Sequence, residues 1–307
     1  MGIQPMRDIS ALMLRASNRR LLIPAFNIPH LPMMEPIINA LRDTRSFGLI
    51  MVARLEWMKF GAQSLKTVFS EYQRLKDERY TRLHLDHVPV IDEDNLRVPY
   101  VDILSEAVAL GYDSVMLDGS RLGLEENIES TRQIVRIAHA AGVPVEAELG
   151  AVMGHEEGPP VPYEELYASG RGFTDVEEAR RFVRETGVDW LSVAIGNVHG
   201  AIAASRRNER KIAARLNIER LAELRNATGV PLVLHGGSGI PKHSILEAVK
   251  NGISKINVGT ALRQAYEAAS AQSAAAGQQA VYETMVGVLK DEFEVAGSAD
   301  VLTGGVQ

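Results

Sequence analysis

Residues 230–240, which read V-P-L-V-L-H-G-G-S-G-I, combine a short apolar run with a histidine and a glycine-rich loop. The apolar part, residues 231–234, is typical of a buried parallel strand, and it leads directly to His235. The loop around Ser238 is typical of a turn whose backbone N–H groups surround an anion. A side chain that can bind a metal therefore adjoins a loop that can bind phosphate. Since most glycine-rich runs are simple turns, this interpretation depends on whether the chain repeats the pattern.

The chain does repeat it: seven more short β-rich runs end at polar residues, and helical patterns separate them. The eight predicted strands are residues 21–27, 48–54, 82–88, 113–120, 144–150, 190–196, 231–237 and 255–260. This alternation predicts an α/β fold, a (β/α)8 TIM barrel, preceded by an N-terminal helix over 6–19 and followed by two extra helices divided near Gly277. A doubly wound open sheet is the competing architecture. No change in composition marks a boundary, so residues 1–307 are predicted to be a single domain.

Composition narrows the classes of function. The 307 residues are 46% hydrophobic and 23% charged, with a formal net charge of −6. The sequence contains no sustained basic face, which argues against a nucleic-acid-binding protein. No apolar run approaches the roughly 18 residues that a membrane span needs. Cysteine is absent, so a metal would have to be held by histidine, aspartate and glutamate. A cytoplasmic protein is the expectation.

In a barrel of this type the active site lies at the carboxyl ends of the strands, so the polar residues at the predicted strand ends are the candidates. Those residues are Asn27, Arg54, Asp86, His87, Asp118, Ser120, Glu148, His199, His235, Asn257 and Thr260. Three of them are histidines that one barrel mouth could gather, and three imidazoles with an open position form a catalytic zinc site. His84 is expected to lie deeper and to serve packing.

The carboxylates allow more than one interpretation. Asp118 and Glu148 could orient metal-bound imidazoles, bind a second metal, or form a buried polar network. Glu156, in the long loop after the fifth strand, could act as an acid on a lid, although a solvated loop is the simpler interpretation. The loops after strands seven and eight are where such barrels often bind phosphate.

Several motifs in register resemble the class II, zinc-dependent ketose-bisphosphate aldolases. They are H-L-D-H at 84–87, V-M-L-D-G-S at 115–120, V-E-A-E-L-G at 145–150, A-I-G-N-V-H-G at 194–200, V-L-H-G-G-S-G-I at 233–240 and K-I-N-V-G-T at 255–260. The resemblance covers nearly the whole chain. It is nearer to the tagatose-bisphosphate branch, because K-I-N-V-G-T lacks an aspartate that the fructose-bisphosphate branch usually carries.

The resemblance implies a role for each matching position. Asp86 would exchange a proton with the C4 oxygen of the substrate, and Glu156 with C3 of the dihydroxyacetone phosphate half. The implied zinc ligands are His87, His199 and His235, with a second metal position at Asp118 and Glu148, and the implied substrate and phosphate ligands are Asn27, Gly200, Gly236, Ser238, Asn257 and Thr260. The reaction would pass through a zinc-stabilised enediolate. A monovalent cation (Na⁺ or K⁺) near the phosphate loops, and a homodimer or homotetramer with contacts through the helices of residues 262–296, are also implied.

The chain departs from the family around the aldehyde half of the substrate. Segments 54–57, 88–97 and 201–215 differ from the usual family sequence, and Arg54 could pair with an anionic group on the aldehyde. Two alternatives to the aldolase stay open: a zinc-dependent sugar-phosphate isomerase or epimerase, and a non-catalytic sugar-phosphate-binding subunit. Asp86 and Glu156 argue against the second, because a binding subunit would need neither.

Overall fold

The chain folds into a closed barrel of eight parallel strands, as shown by a computed structural model that describes residues 7–150, 163–197, 214–237 and 240–304. Each strand pairs with the next along the chain, and β8 pairs with β1. The strands are β1 (Ile23–Asn27), β2 (Gly48–Ala53), β3 (Thr81–Pro89), β4 (Ser114–Asp118), β5 (Val145–Leu149), β6 (Trp190–Val193), β7 (Leu232–Leu234) and β8 (Ile253–Val258). The predicted (β/α)8 barrel is confirmed. The competing prediction of a doubly wound open sheet is wrong, because the pairing of β1 with β8 leaves no edge strand.

Helices cover the outside of the barrel. Within the described ranges they are α1 (Asp8–Arg19), α2 (Met34–Asp43), α3 (Arg54–Lys59), α4 (Leu65–Leu75), α5 (Tyr100–Leu110), α6 (Leu124–Ala140), α7 (Tyr163–Ser169), α8 (Val176–Thr186), α9 (Ile218–Thr228), α10 (Lys242–Asn251), α11 (Thr260–Ser270), α12 (Ala274–Gly287) and α13 (Ser298–Thr303). None of these helices is both long enough and apolar enough to cross a membrane.

The N-terminal helix α1 covers the end of the barrel where the strands begin. Its spaced apolar residues Ile9, Leu12, Met13 and Ala16 are all buried, as the helical periodicity predicts. Arg7, just before the helix, donates its backbone N–H to the carbonyl of Gly142, which precedes β5. The opposite end of the barrel, where the strands finish, is therefore the end available for an active site.

Three local details differ from the sequence predictions. The sequence predicts Thr174 as the N-cap of the helix that follows it, but the N-cap of α8 is Asp175, whose carboxylate accepts the N–H groups of Glu177 and Glu178. The hydroxyl of Thr174 instead accepts the N–H of Ala194 and donates to a carbonyl of β5, so it joins two strands. The last two long helices divide after α11 and not near Gly277, because Ser273 caps α12. The helices α3, α7 and α13 were not predicted, since each has only six or seven residues.

Candidate active site

A β-bulge in β3 brings two consecutive side chains to the barrel mouth. Between Leu85 and Val88 the strand advances three residues, while its partner β4 advances two, from Val115 to Leu117. The extra residue leaves His87 with a φ of +30°, an uncommon value for a residue other than glycine. In a regular strand neighbours point to opposite faces, so the bulge is what allows Asp86 and His87 to face the same site.

Two of the three predicted metal-binding histidines lie side by side. The ring centroids of His87 and His235 are 4.4 Å apart. One ligand atom from each, together with a carboxylate oxygen of Asp86, lie within 4.8 Å of one another. A second group, formed by His87, Asp118 and Glu148, meets the same limit. The structure therefore gathers five predicted residues into one cluster at the ends of β3, β4, β5 and β7.

Buried carboxylates orient both imidazoles. Nε2 of His235 lies 2.9 Å from Oε1 of Glu146, and Nδ1 lies 2.9 Å from Oε2 of Glu148. Nδ1 of His87 lies 3.0 Å from Oδ2 of Asp118. A proton on Nε2 of His235, donated to Glu146, would direct Nδ1 toward a metal, since a carboxylate partner selects the tautomer of a ligating histidine. Of the interpretations left open for Asp118 and Glu148, the geometry fits both the orientation of the imidazoles and, together with His87, a second metal position.

The carboxylates also control the charge of the imidazoles. Burial by itself lowers the pKa of His87, but the nearby charges of Asp86 and Asp118 outweigh it and raise the pKa to about 10. Burial and the neighbouring His87 lower the pKa of His235, whereas its two glutamate partners raise it, with a net upward shift. Burial raises the pKa of Asp118, but its hydrogen bonds to His87 and Ser120 prevail, and the pKa is well below its usual range. In the metal-free protein His87 therefore holds a proton at neutral pH that a metal would have to displace.

A fully buried ion pair supports this cluster from inside the barrel. The ammonium of Lys255 in β8 lies 2.8 Å from Oε2 of Glu146, an oxygen that also accepts the indole N–H of Trp190 at 2.7 Å. His84 is fully buried beside them, as predicted, and its Nδ1 lies 2.7 Å from the hydroxyl of Ser114. Burial lowers the pKa of His84 to about 3, so its ring is neutral. Glu146 and Lys255 were missed from the sequence, although the two-residue spacing to Glu148 and Asn257 places them on the same inward face.

Replacing Lys255 by methionine is expected to lower the free energy of unfolding by about 3–5 kcal/mol, because Glu146 would keep its buried charge without its main counter-ion. Chemical denaturation followed by circular dichroism measures this change. The matched control is Lys66→Met on the exposed face of α4, which is expected to stay within about 0.5 kcal/mol of the wild type. Equal free energies of unfolding for the two variants would show that the ion pair of Lys255 with Glu146 does not stabilise the barrel.

Two asparagines from the strands on either side of the barrel closure hold Asp86. Nδ2 of Asn27, at the end of β1, donates to one carboxylate oxygen at 3.0 Å, and Nδ2 of Asn257, in β8, donates to the other at 2.9 Å. The carboxyl group is 1% exposed. Burial raises the pKa of Asp86, but the charges of His87 and Lys255 lower that pKa by more, so the net shift is downward. Asp86 is thus an ionised carboxylate with a fixed orientation.

The loop after β7 approaches β8 closely. Gly236 has a φ of +72°, and the N–H of Gly237 donates to the carbonyl of Asn257 at 3.1 Å. A Cβ at Gly237 would lie 2.4 Å from a methyl of Ile256, so only glycine fits there. Thr260 begins α11 directly after β8, and the N-terminus of a helix is suited to binding an anion. Four predicted site residues, Glu156, His199, Gly200 and Ser238, lie outside the described residues.

The predicted aldehyde side is a wall formed by α3 and the loop after β3, residues 90–98. Arg54 pairs with Asp92 at 3.4 Å, and Lys59 pairs with Glu93 at 2.6 Å, so two ion pairs join the two segments. Arg54 was predicted to pair with an anion of the aldehyde; in the structure its guanidinium contacts a carboxylate of the chain itself. Glu56, which was not predicted as a site residue, is 9% exposed. Burial raises its pKa to about 8.

Comparison with known proteins places this site in a family. Residues 7–301 match the family model described as fructose-bisphosphate aldolase class-II. The chain is 31% identical, over 291 residues, to a fructose-bisphosphate aldolase of Geobacillus stearothermophilus, an alignment that covers 89% of this chain and 92% of the relative. This chain belongs to the class II fructose-bisphosphate aldolase family. The resemblance read from the motifs is therefore confirmed, and the class II aldolase is a carbon–carbon lyase.

Solved structures agree with this assignment. The YdjI aldolase of Escherichia coli K12 is 30% identical to this aldolase and superposes with a TM-score of 0.75, covering 96% of this chain and 99% of that one. The fructose-bisphosphate aldolase of Campylobacter jejuni superposes with a TM-score of 0.73 over 96% of this chain and 97% of that one, at 18% identity. At that identity the second likeness shows the fold alone.

Proposed function

We propose that this class II aldolase reversibly cleaves a ketose phosphate or bisphosphate to dihydroxyacetone phosphate and an aldehyde. The observation that supports this reaction best is the position of Asp86, an ionised and oriented carboxylate within 4.8 Å of imidazole nitrogens of His87 and His235. A proton acceptor and a pair of metal ligands thus face the same small volume. The named relatives are aldolases, which favours carbon–carbon cleavage over the isomerase and the non-catalytic subunit.

The donor set fits a divalent metal. Imidazole nitrogens and carboxylate oxygens suit zinc and related divalent ions, and the absence of cysteine excludes only thiolate ligands. His87 and His235, with His199 from outside the described residues, would hold the ion, and Asp118 and Glu148 would border a second, inner position. When bound, a divalent ion supplies positive charge against the negative charge that develops on the C2 oxygen of the substrate.

The residues of the chain would move two protons. Asp86 takes the proton of the C4 hydroxyl, a C4 carbonyl forms, and the C3–C4 bond breaks with its electron pair passing toward C2. Glu156 then delivers a proton to C3 and completes dihydroxyacetone phosphate. Asn27 and Asn257 have a supporting role in this scheme: by donating to both oxygens of Asp86 they aim the carboxylate at the C4 hydroxyl.

The phosphate of the substrate would bind where the loops after β7 and β8 meet. Backbone N–H groups around Gly236 and Ser238, the segment at Gly200, and the start of α11 at Thr260 are the proposed ligands, beside Asn27 and Asn257. A monovalent cation (Na⁺ or K⁺) is proposed near the same loops. We also propose a homodimer or homotetramer with contacts through α11 and α12, which pack on each other and, through α12, on α2.

The test is an assay of purified protein with a panel of ketose phosphates. The panel contains fructose and tagatose 1,6-bisphosphates and ketose 1-phosphates, including deoxy and acidic ones, and the assay detects dihydroxyacetone phosphate. Release from any member supports the proposal, and the best substrate identifies the aldehyde. No release from any member, with a divalent metal bound, would contradict it.

A further inference from the structure

Glu56 is a buried carboxyl group at the barrel mouth that the proposed chemistry does not use. It follows β2 in the first turn of α3, one of the segments in which this chain departs from its family. Its Oε2 accepts the backbone N–H of Ala53 at 2.7 Å, and the amide of Asn27 lies close to the carboxyl group. A buried carboxyl group of this kind needs hydrogen-bond partners, and a substrate group could be one of them.

The amide of Asn27 lies close to both Glu56 and Asp86. Its Nδ2 donates to Oδ2 of Asp86 at 3.0 Å, and both the Asn27 side chain and the charge of Asp86 affect the pKa of Glu56. The two carboxyl groups are therefore neighbours at the barrel mouth. Asp86 is the group proposed to act on the C4 hydroxyl, so Glu56 lies next to the part of the substrate that becomes the aldehyde.

The wall that carries Glu56 is held in place. The ion pairs of Arg54 with Asp92 and of Lys59 with Glu93 fix α3 from both of its ends against the loop after β3. Arg54 and Asp92 are nearly buried, with side chains 13% and 8% exposed. Both cations of α3 thus have acidic partners within the chain, whereas Glu56 forms no ion pair with the described residues.

We propose that Glu56 is a specificity-determining residue that binds the substrate hydroxyl on the carbon next to C4, so that Glu56 and Asp86 together recognise a vicinal diol. The two hydroxyls of such a diol are on adjacent carbons, and the two carboxyl groups are neighbours at the barrel mouth. An aldehyde with a hydroxyl group next to its carbonyl is therefore preferred over one without it. Arg54 and Asp92 act through α3 and position Glu56. This inference rests on the proposed aldolase reaction.

The experiment measures the condensation of dihydroxyacetone phosphate with glycolaldehyde and with acetaldehyde, which differ only by that hydroxyl. The readout is the ratio of kcat/KM for the two aldehydes in the wild type and in Glu56→Ala. The ratio is expected to fall about tenfold or more in the variant, the size of a hydrogen bond between a hydroxyl and a carboxyl group. A purely structural role, such as capping α3, would lower both values of kcat/KM equally and leave the ratio unchanged.

Two further variants keep the result interpretable. Asp94→Ala removes an exposed acid from the loop after β3, outside both ion pairs, and is expected to retain the wild-type ratio. Glu56→Gln keeps an acceptor for the N–H of Ala53. It replaces Glu56→Ala if thermal melting shows that the alanine variant does not fold. The ratio for Glu56→Gln is expected to lie between that of the wild type and that of Glu56→Ala. An active wild type whose ratio is unchanged in the Glu56 variant would overturn the inference alone. A wild type that condenses neither aldehyde, nor cleaves any ketose phosphate, would overturn the proposed function and the inference with it.

Discussion

Asp86→Asn is expected to lower kcat by about 10²–10⁴, the usual contribution of a positioned general base. The substitution keeps the shape of the side chain and removes the charge that would accept the C4 hydroxyl proton. It also places an amide where Asn27 and Asn257 now donate, so at least one of the two hydrogen bonds is lost. The measurement is steady-state cleavage of the best substrate, with metal content determined on the same sample.

Metal content separates this effect from the loss of a ligand, because the variant is expected to bind metal as the wild type does. Asp102→Asn, on the exposed side of α5, is the matched control and should retain wild-type kcat. A kcat within about threefold of the wild type in Asp86→Asn would contradict the role of the carboxylate as a base, since so small a change corresponds to less than 1 kcal/mol.

Removal of the metal with EDTA is expected to lower activity by about 10²-fold or more, because a Lewis acid contributes several kcal/mol to stabilising the transition state. Addition of zinc should restore activity to the wild type but not to His87→Ala. The control His243→Ala removes an exposed histidine of α10 and should behave as the wild type. Full activity after exhaustive metal removal would contradict the metal-dependent mechanism.

Binding of the metal itself provides a readout that does not depend on turnover. His87, with a pKa raised to about 10, is protonated at neutral pH in the metal-free form, and the pKa of His235 is also raised. Because only neutral imidazole binds a metal, zinc binding near pH 7.5 should release at least about one proton, that of His87, and affinity should rise with pH toward 10. Calorimetric titration in buffers with different ionisation enthalpies counts the protons released. Zinc binding without proton release would show that His87 is not a ligand.

The order of strands and most of the site motifs could be predicted from the sequence, because each depends on short-range patterns. Apolar runs that end in polar residues define the strands, and a parallel barrel brings all their carboxyl ends to one mouth. His87 and His235 are therefore expected together although 148 positions separate them along the chain. The position of Glu146 could also have been predicted from the motif V-E-A-E-L-G, because the two-residue period of a strand places Glu146 on the same face as Glu148.

Other features of the site depend on contacts between distant segments. The bulge at His87 arises from the pairing of β3 with β4, which no local pattern of residues 81–89 reveals. Asn27 and Asn257 are predicted ligands of the substrate, and only the fold shows that their amides also hold Asp86, because β1 and β8 become neighbours when the barrel closes. The ion pair of Arg54 with Asp92 likewise joins two segments that differ from the family, α3 and the loop after β3. The sequence of neither segment alone indicates this pair.

The sequence by itself determined the barrel, the family and the types of residue at the strand ends, since hydrophobic periodicity and motif spacing are properties of the linear chain. Only the tertiary structure decided which polar groups pair with one another, because hydrogen bonds and ion pairs depend on distances of a few ångströms between strands that are far apart in sequence. Glu56 shows the difference most clearly. In the sequence it is one more charged residue after β2, and in the fold it is a buried carboxyl group beside Asp86.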